Sequence, residues 1–93
     1  MRRKHLPLLL LIGLLGLAAT VVEAYESYLL TREERRDLQI RLTRLGYDPL
    51  RTDGTFGAGT RRAIIAWQED EGQEATGYLT ADQVRQIRVD TGG

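Results

Sequence analysis

The chain has 93 residues, 13 Lys and Arg against 13 Asp and Glu, one His and no Cys. That length holds a single domain, and the lack of Cys excludes disulfides, thiol catalysis, a Cys-ligated metal and a lipidated cysteine anchor. The neutrality is an average over two unlike parts: residues 6–22 are almost wholly apolar behind Arg2, Arg3 and Lys4, whereas residues 25–93 carry ten Arg and twelve acids, a net of −2. So weakly acidic a part offers no field to hold phosphates, which argues against nucleic acid as a partner. The one imidazole, His5, lies in the leader, so the remainder lacks the commonest general base and metal ligand.

Residues 1–24 read as a secretory signal peptide: a cationic start, an apolar stretch, and Val22-Glu23-Ala24 with small residues at the two positions a signal peptidase reads. The rival reading is an uncleaved anchor helix. An apolar run of about seventeen residues is at the short limit for spanning a bilayer, and Pro7, Gly13 and Gly16 weaken such a helix, which favours cleavage. The leading cations would keep the N-terminus in the cytoplasm. Both readings therefore expect residues 25–93 to be exported, periplasmic or extracellular, and to meet a membrane only through the N-terminal segment.

After a short amphipathic approach, Thr31-Arg32-Glu33-Glu34 predicts a capping box. Leu38, Leu42 and Leu45 then share one helical face, with Ile40 beside them. Gly46 predicts a left-handed helix end, and Asp48-Pro49 confirms the stop. Asp53-Gly54 and Gly57-Ala58-Gly59 mark a turn-rich loop around Phe56, an anchor for that loop. Thr60 is the predicted N-cap of a second helix whose Ala63, Ile64 and Trp67 share a face. Its charges, Arg61 and Arg62 first and Glu69, Asp70 and Glu71 last, run against the helix dipole. Gly72 ends it. Thr80-Ala81-Asp82-Gln83 predicts another capping box, with Val84 and Ile87 pointing inward and residues 91–93 fraying. The expected fold is an all-α bundle of three short helices with structured loops. Its expected core is Leu38, Leu42, Leu45, Phe56, Ile64, Trp67, Leu79, Val84 and Ile87.

The ordered series Leu38-Gln39, Leu42, Leu45-Gly46-Tyr47, then Asp53-Gly54-Thr55-Phe56-Gly57-Ala58-Gly59-Thr60, then Ala63-Ile64, Trp67-Gln68 and Thr76-Gly77-Tyr78-Leu79-Thr80 resembles the peptidoglycan-binding domain type 1 family. The resemblance runs from about residue 30 to residue 87. It implies a three-helix module, core about 30–88, that binds peptidoglycan without catalysis. It also implies a partner such as a cell-wall hydrolase that the module holds against the wall. No cofactor is implied. The chain departs from the family's habit at Leu50, where Gly is frequent, and at Thr52, Ala58 and Gln73-Glu74.

The candidate ligand-binding residues are Tyr47, Arg51, Asp53, Thr60, Arg61 and Tyr78. Tyr47 could stack on a sugar, or pack as the residue after a helix-ending Gly. Arg51, Arg61 and, beside them, Arg62 could pair with stem-peptide carboxylates, or be a solvated, charged helix start. Asp53 could bond a peptide amide, although an Asp before Gly more often accepts N–H bonds within its own turn. Trp67 reads as core, which leaves Tyr78 as the better exposed aromatic. Catalysis has no constellation: consecutive acids at 69–71 point in different directions, unlike a glycosidase pair flanking a cleft. Asp48 and Asp53 supply too few ligands for Ca²⁺. The alternative to a peptidoglycan-binding module is a protein-interaction module docking on an envelope enzyme or assembly.

Overall fold

Thr31 begins the first helix. Its Oγ1 accepts the Glu34 N–H at 3.1 Å, while the Glu34 carboxylate accepts the Thr31 N–H at 2.8 Å. This reciprocal cap satisfies two donors that a bare helix start leaves open. The helix is α1, Arg32–Arg44. Acids in its first turn and Arg41 and Arg44 in its last follow the helix dipole. At its end Gly46 takes φ +98°, its N–H reaches the Thr43 carbonyl, and the Tyr47 N–H reaches that of Leu42. These are the paired bonds of a Schellman ending. The structure, a computed structural model, describes residues 25, 26 and 29–92, and the expected leader lies outside them.

Helix α2, Ala58–Asp70, starts earlier than the sequence predicts. Gly57, not Thr60, is its N-cap and supplies no side-chain bond. Thr60 sits inside the first turn, where its hydroxyl serves a buried partner described below. Thr60, Ala63, Ile64, Trp67 and Gln68 are the buried face, the i, i+3, i+4, i+7, i+8 stripe of a helix against a core. A second Schellman ending closes α2, with the Gly72 N–H on Glu69 and the Gln73 N–H on Gln68. Helix α3, Ala81–Asp90, opens with the expected Thr80–Gln83 capping box. Thr91, expected at the start of a fraying end, is tied to the bundle: its Oγ1 donates to the Ile87 carbonyl and accepts from Arg41 Nη1 at 2.7 Å.

Helix α1 packs on both α2 and α3. The core between them is Leu38, Leu42, Ile64, Trp67, Leu79, Val84 and Ile87, joined by Leu30 from ahead of α1. Leu45 and Phe56, expected inside, are half-buried against its edge. Leu45 is the C-cap of α1, where the chain is already leaving the bundle. Among the described residues there are three helices of this length and no strand, and no helix is long and apolar enough to cross a membrane.

Candidate functional site

Two glutamines with no exposed surface organise the loops. Gln39 of α1 accepts the Gly54 N–H on Oε1 at 2.8 Å, and its Nε2 donates to the Thr55 carbonyl and to Thr60 Oγ1. Gln68 of α2 accepts the Gly77 N–H at 2.9 Å, and its Nε2 donates to the Tyr78 carbonyl, Thr76 Oγ1 and Gln83 Oε1. The two knots share a pattern of offsets. In each, the carboxamide holds the N–H of a glycine, the carbonyl one residue on and a side chain six residues on. In each, the residue before the glycine accepts the N–H of the residue after it: Asp53 from Thr55, Thr76 from Tyr78. The glycines are required, because Gly54 and Gly77 adopt φ +86° and +82°. A Cβ on Gly54 would also lie 2.6 Å from the Arg32 carbonyl oxygen.

The first loop is held from outside as well. Three guanidiniums of α1 take three consecutive carbonyls: Arg36 Nε donates to Thr52, Arg32 Nε to Asp53 and Arg35 Nε to Gly54, at 3.0, 2.9 and 2.7 Å. Asp53 is tied further by Arg51, whose Nε donates to Oδ2 at 2.9 Å. The Thr55 N–H bond, and then Arg51, hold the Asp53 carboxyl below its ordinary range.

Arg61 joins the two loops. Its guanidinium lies 4.0 Å from the centre of the Tyr78 ring and 5.4 Å from that of Phe56, within cation–π range of both. Its Nη1 donates to the Gly77 carbonyl and pairs with Glu26 Oε1 at 2.7 Å. Glu26 is 3% exposed, and its Oε2 accepts the Leu79 N–H at 2.5 Å. A carboxylate from ahead of α1 thus supplies the negative charge that the first turn of α2 lacks, which accounts for an arginine where the dipole disfavours one. Glu26, Arg35, Gly54, Thr55, Phe56 and Arg61 line a cleft of about 300 Å³ open to solvent.

Residues 31–87 match the family described as "Putative peptidoglycan binding domain". The chain belongs to that family. Among solved structures, the chain is similar to SltB3 from Pseudomonas aeruginosa, crystallised in complex with NAG-NAM-pentapeptide, at 42% identity and a TM-score of 0.61. The similarity covers 63% of this chain and 16% of SltB3, so the chain spans less than a fifth of that protein's length. Comparison with curated proteins gives no match.

In this peptidoglycan-binding domain the six residues singled out by sequence do not form one surface. Arg61 and Tyr78 are stacked together beside the cleft, and Arg51 and Asp53 pair on the outer side of the first loop. Thr60 is 1% exposed, and its hydroxyl accepts from Gln39, so it faces the core rather than a ligand. Tyr47 lies at the far end of α2, donating its phenol hydrogen to Asp70 Oδ2 at 2.6 Å. Nine residues of helix separate Asp70 from Arg61, roughly 13 Å of rise. The bond to Asp70, then desolvation and the nearby acids, push the Tyr47 phenol up from its usual range. Two of the three acids at this end of α2 have protein partners: Asp70 takes Tyr47, and Glu71 accepts from Gln86 Nε2 at 2.8 Å. Sequence reasoning missed Glu26, Arg35, Gln39 and Gln68. A glutamine in an amphipathic helix looks like surface, and its signal here is only its recurrence one residue after a core Leu or Trp, ahead of an X-Gly-X turn.

Proposed function

We propose that the chain is a noncatalytic module that binds peptidoglycan outside the cytoplasm, using the cleft and the Phe56–Arg61–Tyr78 stack beside it. The observation that carries this reading is the cleft itself: a concave site walled by an aromatic ring, two guanidiniums and loop backbone, in a member of this family. Aromatic faces suit sugar rings and apolar side chains, and guanidiniums suit the carboxylates of stem peptides. The similarity to SltB3, whose crystals contain NAG-NAM-pentapeptide, supports that ligand class.

The noncatalytic part of the reading rests on chemistry. Residues 25–93 contain no His and no Cys. The carboxylate lining the cleft, Glu26, is committed to Arg61 and the Leu79 N–H, so it is poorly placed to move a proton to a substrate. Export follows from the leader pattern of residues 1–24.

The test is co-sedimentation of the full chain with purified murein sacculi. Retention without release of soluble muropeptides is expected. Failure to co-sediment at low salt would falsify the binding reading and favour the protein-interaction module. Release of muropeptides would make the chain an enzyme.

A further inference from the structure

We propose that the cleft selects the peptide part of its ligand, and that Arg35 is the residue that reads a carboxylate there. This rests on the peptidoglycan-binding reading above and narrows it.

Arg35 is half-buried, and its guanidinium is fixed by neutral partners. Nε donates to the Gly54 carbonyl at 2.7 Å, and Nη1 donates to the Leu30 carbonyl at 2.8 Å and to that of Glu26 at 3.5 Å. No carboxylate of the described residues lies within ion-pair distance of it. The four ion pairs found there are Arg41–Asp37, Arg51–Asp53, Arg61–Glu26 and Arg85–Asp82. Of the three charged groups lining the cleft, Glu26 and Arg61 cancel one another, and Arg35 leaves one positive charge. Nη2 makes no hydrogen bond to a described residue, so one edge of the guanidinium remains for a ligand.

A cation held rigidly in a partly buried place, with no counter-ion among the described residues, is a site prepared for an anion. Its orientation is fixed before binding, so little side-chain entropy is lost on contact. A guanidinium edge matches the geometry of a carboxylate. The cleft volume of about 300 Å³ is at the small end for ligand sites and suits an amino-acid residue with its carboxylate. The Phe56 ring and the Thr55 backbone would flank that residue. Neutral N-acetylated sugars offer Arg35 no charge and fall to the half-buried stack of Arg61 on Tyr78.

The experiment is a titration of the full chain, followed by NMR at the Gly54 amide and the Arg35 Nε–H. Three probes are used: NAG-NAM-pentapeptide, the same molecule with all its carboxyls converted to amides, and an N-acetylglucosamine oligomer with no carboxylate. The acid should bind more tightly than the amidated form by roughly tenfold or more, with the largest shifts at Gly54 and Arg35. The sugar oligomer should leave those two signals in place. Equal affinity for the acid and the amidated form overturns the proposal, as does tight binding that never perturbs Gly54 or Arg35. Either result leaves sacculus binding intact, whereas loss of sacculus binding removes the proposed function itself. Arg35→Gln should abolish the preference for the acid. Because Arg35 also holds the loop, its melting curve is read beside it, and the ligand-side comparison decides the matter if that variant does not fold.

Discussion

The two junctions of the bundle, 45–57 between α1 and α2 and 71–80 between α2 and α3, meet the same requirement in different ways. Each hangs on one buried glutamine and one glycine with positive φ. The glutamine is 15 residues from its glycine in the first junction and 9 in the second. The shorter junction is held by the carboxamide, the Thr76 turn and Arg61. The longer one needs three further guanidiniums and an ion-paired Asp53, and it carries the only non-glycine residue at positive φ among the described residues, Leu50 at +70°. Loop-closure entropy grows slowly with length, so a few added residues cost little in closure. They do leave more backbone polar groups to satisfy. The arginines of α1 perform that service, and one of them, Arg35, also lines the cleft.

The largest test removes what both junctions share. Trp67, 1% exposed and next to Gln68, sits at the centre of the core. Trp67→Ala should cost roughly 3–5 kcal/mol, about the whole stability that a core of this size supplies. Urea melts followed by circular dichroism should show no cooperative transition. A transition near the wild-type midpoint would mean that the glutamine knots hold the bundle without its core.

The next test separates the junctions. Gln39→Leu orphans the buried Gly54 N–H and the Thr60 hydroxyl. Gln68→Leu orphans mainly the Gly77 N–H, because the Tyr78 carbonyl keeps Thr76 Oγ1 and Gln83 keeps the Thr80 N–H. Each orphaned group costs about 1–3 kcal/mol. Gln39→Leu should therefore be the more damaging in the same melts, and the reverse order would show that the arginines, not the carboxamide, secure the first loop.

A smaller change should improve the protein. A left-handed conformation costs a residue other than glycine about 1–2 kcal/mol, and Leu50 is 66% exposed, so little packing opposes its removal. Leu50→Gly should raise stability by up to about 1 kcal/mol, after allowing for the greater freedom of glycine in the unfolded chain. A loss of stability would reveal a packing role for the leucine.

The smallest effect concerns acid. Asp53 and Thr76 make the same turn bond, but only Asp53 is charged. Its folded-state value lies below the ordinary 3.8, so the folded form holds this proton less readily than the unfolded chain. Its contribution is complete above the unfolded value and is lost as the pH falls through the lower, folded one. Asp53→Asn keeps the acceptor oxygen and removes the charge. It should flatten the decline in urea midpoint between about pH 5 and pH 2, whereas Thr76→Ser should leave that slope unchanged.

What the sequence made legible was local. The Thr31–Glu34 and Thr80–Gln83 boxes and the helix-ending Gly46 and Gly72 depend on residues within one turn, so spacing alone exposes them. The buried stripe was legible for the same reason. Thr60 misled because a Thr ahead of an apolar run resembles a cap, while the cap three residues earlier is a glycine without a side-chain bond. The site residues depend on distant partners: Glu26 reaches Arg61 across 35 positions and Leu79 across 53. By local rules Arg61 is misplaced on its helix, and only that distant carboxylate accounts for it. Tyr47 is near the loop in sequence, yet α2 carries its partner Asp70 to the opposite end.

Glu26 also bears on where the folding unit begins. The family match starts at residue 31, but the carboxylate that neutralises Arg61 and the Leu30 side chain in the core both come from ahead of it. A fragment begun at residue 31 would keep α1, α2, α3 and their caps, yet leave a half-buried cation beside an uncovered apolar edge. Anyone trimming, fusing or transplanting this module should treat the five or so residues before Thr31 as part of the cargo and place the join upstream of them.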